Sequence, residues 1–156
     1  METMNRSARA TAMQVRGDFV LLRAGSLHLL LPQHDVNATE YMEHAPDPIG
    51  IPGIFSLGEA DGEAHLVAAL SENMHMLPEI PADRFLLTRL CGERRHFSLA
   101  WSEVRVLIDT ALELHPLPAI LQGKARLIDA YVELDGELAF CTTAQRVLAQ
   151  VHARPE

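Results

Sequence analysis

Aromatic side chains are scarce in this 156-residue chain, at 5% of residues, and cysteine occurs only twice, as Cys91 and Cys141. The first shortage removes the platforms on which unpaired bases stack, and it leaves Leu, Val, Ile and Ala to build the core. The second rules against a disulfide framework, and without a CxxC pair it rules against a zinc knuckle; both thiols are expected to be free and buried. Positive charge is also short, with 13 Lys and Arg against 21 Asp and Glu and a formal net charge of -8. Such a surface repels a phosphate backbone, and the basic residues are scattered rather than striped, which argues against nucleic acid as a partner. Long apolar runs are missing too. "LHLLLP" and "HLVAAL" fall far short of the roughly 20 residues that span a bilayer, so no membrane insertion is expected.

Reactive patterns are equally thin. The eight histidines (His28, His34, His44, His65, His75, His96, His115 and His152) include no pair at the helical spacing of a zinc site, and no HExxH occurs. Ser56 in "IFSLG" is not in a GxSxG elbow, Cys91 sits in a hairpin turn, and "GIPG" at 50–53 lacks the lysine of a phosphate loop. No metal, cofactor or catalytic group is expected from these spacings, and the chain reads as a binding or scaffolding protein rather than an enzyme.

What the chain does contain is a repetition. "FVLLRAGSLHLLLPQHDV" at 19–36 and "FLLTRLCGERRHFSLAWSEV" at 85–104 each spell an apolar run, a turn and a returning run, with Val36 and Val104 at the same relative place. Each predicts a β-hairpin. A second hairpin follows in each half. In the first, "IPGIFSL" and "HLVAAL" flank Asp61-Gly62; in the second, "RLIDAYVEL" and "ELAF" flank Asp135-Gly136. In the latter, Ile128, Ala130, Val132, Leu134, Leu138 and Phe140 are expected on one face and Asp129, Tyr131, Glu133 and Glu137 on the other. Pro-rich connectors, "EHAPDPIGIP" and "LELHPLPAILQG", separate the hairpins, and Ser71 to Asp83 reads as a linker between the halves. "TTAQRVLAQVH" places Ala144, Val147, Leu148 and Val151 on one helical face behind Thr142 or Thr143 as N-cap.

The expected organisation is a flexible tail over 1–16, a single domain over 17–150, and a tail over 151–156. The domain comprises two small β-barrels, approximately 17–80 and 84–150, whose strands can cross from one half to the other, with a short C-terminal helix in the groove between them or at one end.

In order, "FVLLRAGSLHLLLPQHDV", "PIGIPGIFSL", "RFLLTRLCGERRHFSLAWSEVRVLI", "LHPLPAIL" and "LIDAYVELDGELAF" resemble the CheW-like family of chemotaxis coupling proteins over residues 17 to about 150. Leu31-Pro32 with Val36, Gly53-Ile54, and Leu117-Pro118 stand where that family writes its recurring phrases. The resemblance implies a mainly β fold of two SH3-like five-stranded barrels. It also implies a non-catalytic, cytoplasmic bacterial adaptor without cofactor, linking a chemoreceptor tip to the CheA-like regulatory domain of a histidine kinase, in chemotaxis or in a pilus-linked pathway. By the same resemblance, Val36, Phe55, Leu57, Val104 and Val106 stand at positions that line the partner surface. The chain departs from the family at Ser56-Leu57-Gly58-Glu59, where Asn-Leu-Arg-Gly is usual, and at Leu66 to Leu70, where Pro-Val-x-Asp-Leu is usual. Plain barrel core is the competing expectation for all five residues. An alternative function is a stand-alone barrel module that binds a small ligand in the inter-barrel cleft.

Overall fold

The computed structural model of the chain describes residues 12–60, 62–93, 96–118, 120 and 127–152. The tail through residue 11, Asp61 of the first Asp-Gly turn, and residues 121–126 of the second Pro-rich connector lie outside the described residues. The elements run β1 (Met13–Ala24), β2 (Leu27–Pro32), a single 3-10 turn (Gln33–Asp35), β3 (Val36–Tyr41), β4 (Asp47–Pro48), β5 (Phe55–Ala60) and β6 (Glu63–Ala68), then β7 (Leu86–Leu90), β8 (Phe97–Trp101), β9 (Glu103–Leu114), β10 (Ala130–Leu134), β11 (Glu137–Cys141) and α1 (Ala144–His152).

The repeated hairpins form, but each half gives strands to both sheets. One sheet has the order β10-β11-β2-β1-β9 and the other β3-β7-β8-β6-β5-β4. Each sheet therefore takes the opening hairpin of one half and inserts it between the third strand and the second hairpin of the other half. β1 is flanked by β9 as β7 is flanked by β3, both antiparallel, and β2 runs parallel to β11 as β8 runs parallel to β6. The duplication is expressed as a reciprocal exchange. The second sheet gains a sixth, two-residue strand, β4, from the first Pro-rich connector.

This exchange creates three apolar cores. Leu21, Leu30, Leu112, Val132 and Ala139 fill the first barrel, while Val67, Ala69, Leu87 and Ala100 fill the second. A larger core lies between the barrels. It joins Leu22, Leu29 and Leu31 of the first sheet to Leu90, Leu99 and Trp101 of the second, with Val147, Leu148 and Val151 of α1. A strand with a core on each face has no solvent side, which is why β8 is buried at all five positions and Leu29 to Leu31 of β2 form a buried apolar run. Inside the shared core, the Trp101 Nε1–H donates to Thr88 Oγ1 at 2.7 Å, satisfying two buried polar groups at once. α1 begins behind Thr143, whose Oγ1 accepts the Arg146 N–H at 3.3 Å, and Asp35 of the other half accepts the Ala144 N–H at 2.8 Å.

Three boundary expectations change. β1 begins at Met13, inside the segment expected as a tail, because residues 13–17 pair with Thr110 to Leu114 along the far end of β9; at the other end, α1 runs on to His152, inside the expected C-terminal tail. In the last hairpin, Leu138 is 46% exposed and Ala139 takes the interior place. The two-residue Asp135-Gly136 turn, with φ of 53° and 82°, sets Leu134 opposite Glu137 and Val132 opposite Ala139, so the inward parity switches from even to odd across it. Cys91 and Cys141 are free, but each is only half-buried.

Candidate interaction surface

The edge strand β9 carries two of the exposed large apolar residues of the first barrel, Val106 and Ile108. Val104 lies opposite Leu22 and Val106 opposite Val20, so both share the face that packs on the inter-barrel core. Val104 is half-buried against that core, Val106 is 50% exposed, and Ile108 is 61% exposed. Along one strand the core thus grades into an open apolar strip.

A bulge ends the strip. Between Leu107, opposite Phe19, and Thr110, opposite Gly17, two residues of β9 face the single residue Asp18. Asp109 adopts φ 50° there, donates its N–H to Asp18 Oδ1 at 2.7 Å, and pairs with Arg16 Nε at 2.8 Å. The extra residue resets the alternation, so Leu112 and Leu114 return to the barrel interior while Val106 and Ile108 stay outside. The bulge was not visible in the sequence.

Of the five residues expected at a partner surface, the structure brings Val104 and Val106 together on one strand. Val36, their counterpart in the first half, is half-buried against the same inter-barrel core from β3. Phe55 and Leu57 lie elsewhere: both pack half-buried against the core inside the second barrel, the plain-core alternative for these positions. Between Ser56 and Glu59 the register of β5 shifts, and Gly58 sits at φ 103° with its N–H bound to Ser56 Oγ at 3.1 Å. At the position where the family places its Arg, the backbone occupies a region that L side chains avoid.

The polar groups near the first barrel's mouth are mutually paired. Arg23 lies 3.3 Å from Glu103, Arg105 lies 3.1 Å from Asp135, and His28 lies 3.2 Å from Glu137; all of these but Arg23 line a cavity of about 110 Å³. At the second barrel, Arg89 approaches His96 Nδ1 at 2.9 Å, and His65 bonds Ser98 Oγ at 3.1 Å. Burial holds the His65 imidazole below its ordinary value, against the opposing pull of Glu40. Arg84 is buried and donates to the Leu70 carbonyl at 2.7 Å; desolvation lowers its pKa, against Asp83 and Glu72. Nothing in the spacing of the sequence signalled that this arginine is internal. Among the described residues no group of three or more His, Cys, Asp and Glu is placed to hold a metal ion, and no helix is long and apolar enough to cross a membrane.

Two barrels that exchange strands around a shared core, closed by one C-terminal helix, define a mainly β, two-barrel class of protein. Among solved structures, the chain is similar to the scaffolding protein TtCheW from Thermoanaerobacter tengcongensis, with a TM-score of 0.57 and 12% identity, over 83% of this chain and 90% of that one. The fold is CheW-like. No family model matches the chain, and no curated protein matches it.

Proposed function

We propose that the chain is a non-catalytic adaptor of a bacterial chemosensory system, cytoplasmic and cofactor-free, acting through protein–protein contacts. Its partners on this reading are a CheA-like kinase regulatory domain, a chemoreceptor cytoplasmic tip, or both. The observation that carries the proposal is the Val104-Val106-Ile108 strip, an apolar surface continuous with the core and held on an edge strand. The CheW-like fold supports it. The apolar packing of the shared core and of α1 between the barrels favours this reading over a small ligand in the inter-barrel cleft.

The test is a pull-down of the purified protein against the kinase regulatory domain and the receptor tip of the same organism, with an ordinary CheW as positive control. Capture of either by the wild type, lost in Val106→Asp with the fold intact, is the expected outcome. Capture of neither, while the control binds both, overturns the reading.

A further inference from the structure

The strand that corresponds to β9 in the second barrel is β3, and the two differ at their free edge. Just beyond β9, His115 exchanges two backbone hydrogen bonds with Tyr131 of β10, at 2.9 and 3.0 Å, which closes the first barrel. β3 is half as long, stops at Tyr41, and ends its sheet; among the described residues no strand pairs with its outer side. Met42 donates to the Phe85 carbonyl at 2.8 Å, so by alternation Thr39 and Tyr41 turn their N–H and C=O groups away from β7. Beside this open edge an aromatic pair stands in solvent. Tyr41, 71% exposed, stacks on Phe85, 41% exposed, with ring centroids 6.0 Å apart and planes within 7°.

The charge on β3 and the loop after it has one sign, while Arg89, opposite Ala38 on β7, is engaged with His96 Nδ1. Residues 24–83 hold ten of the 21 carboxylates and none of the 13 Lys and Arg. Glu40 on β3 and Glu43 just after it are exposed. Natural sheets commonly guard an open edge with lysine or proline, and β3 has neither.

We propose that the outer edge of β3 is a docking site for an extended, Lys- or Arg-bearing segment of a partner protein, which adds to the second sheet as a further strand. Main-chain bonds to Thr39 and Tyr41 supply affinity, basic side chains meet Glu40 and Glu43, and an apolar side chain packs on the Tyr41–Phe85 stack. A second copy of this chain is the poorer occupant. Pairing Thr39 with Tyr41 of a second copy across a two-fold axis would set Glu40 directly opposite its own copy, and like charges directly opposed destabilise a ladder. The site lies on the other barrel from Val106, so it stands or falls separately from the adaptor reading.

The test is fluorescence anisotropy of a labelled short peptide alternating lysine with valine, titrated with the full chain, against the same peptide carrying glutamate for lysine. Binding of the lysine peptide alone is expected, weakening as salt is raised. Thr39→Pro, whose N–H faces outward and makes no ladder bond, weakens it about tenfold, and Glu40→Lys with Glu43→Lys weakens it by a similar factor. Tyr41→Ala serves if the proline variant fails to fold, and Val106→Asp leaves binding unchanged. Failure of the lysine peptide to bind, equal binding of the glutamate peptide, or sensitivity to Val106→Asp instead of the β3 variants overturns the proposal.

Discussion

Aspartate placed along the outer face of the two corresponding strands measures where core ends and contact surface begins. Val36 and Val104 are half-buried against the inter-barrel core, while Val106, on the same face as Val104, is 50% exposed. A carboxylate at Val36 or Val104 loses the apolar contacts of valine and is partly desolvated, which together cost about 3 kcal/mol. At Val106 the new carboxylate stays hydrated, and the change is expected within about 0.5 kcal/mol. For a chain of this length the first two substitutions lower Tm by roughly 6–12 °C, and the third by no more than about 2 °C. Urea unfolding followed through Trp101, the only tryptophan and fully buried in the shared core, reads the difference directly. A Val106→Asp midpoint as low as that of Val36→Asp would refute the placement of Val106 outside the core. A Val36→Asp midpoint equal to wild type would refute the packing of Val36 on it.

The Trp101–Thr88 bond is checked by a double-mutant cycle: Thr88→Val strands the indole N–H and costs about 1–3 kcal/mol, and pairing it with Trp101→Phe recovers about 1 kcal/mol relative to additivity. Because burial lowers the His65 pKa from 6.5, the unfolded chain takes up its proton first; the cost is absent above about pH 6.5 and grows as pH falls through 6.5 toward the folded value. Glu40, Arg89 and His96 face this imidazole, and the urea midpoint of wild type between pH 7.5 and 5.5 is expected to fall more than that of His65→Gln. Burial, with Asp129, pushes the Cys141 thiol up to about 11, so native protein treated with iodoacetamide near pH 8 keeps Cys141 unmodified by peptide mass analysis, whereas urea-unfolded chain reacts there. Gly58→Arg, which writes the family residue back into a backbone at φ 103°, is expected to cost about 1–2 kcal/mol in the same unfolding assay.

Local pattern was legible and non-local pairing was not. The hairpins around Gly25-Ser26 and Asp135-Gly136, and the α1 face of Ala144, Val147, Leu148 and Val151, could be read because turn chemistry and periodicity act within a few residues. Gly25 shows how far that logic reaches: its φ of 66° suits the turn, but a Cβ there would also meet the Glu72 carboxylate at 2.5 Å, and Glu72 accepts the Ser26 N–H at 2.8 Å from the connector beyond the first half. Which sheet β3 and β9 join depends on strands about 45 or more residues away, and two similarly patterned halves give no local sign of exchange. The same limit hid the site. Phe55 and Leu57 are apolar whether they face a partner or the second barrel's interior, and only the bulge at Asp18 explains why Val106 and Ile108 remain outside while Leu112 goes in.

The most direct measurement is the amide spectrum of isotope-labelled protein titrated with the kinase regulatory domain of the same organism. The adaptor account predicts saturable shifts concentrated at Val104 to Ile108 and absent in Val106→Asp. A spectrum that stays unchanged to saturating partner for both the kinase domain and the receptor tip, or shifts that leave β9 untouched, would contradict it.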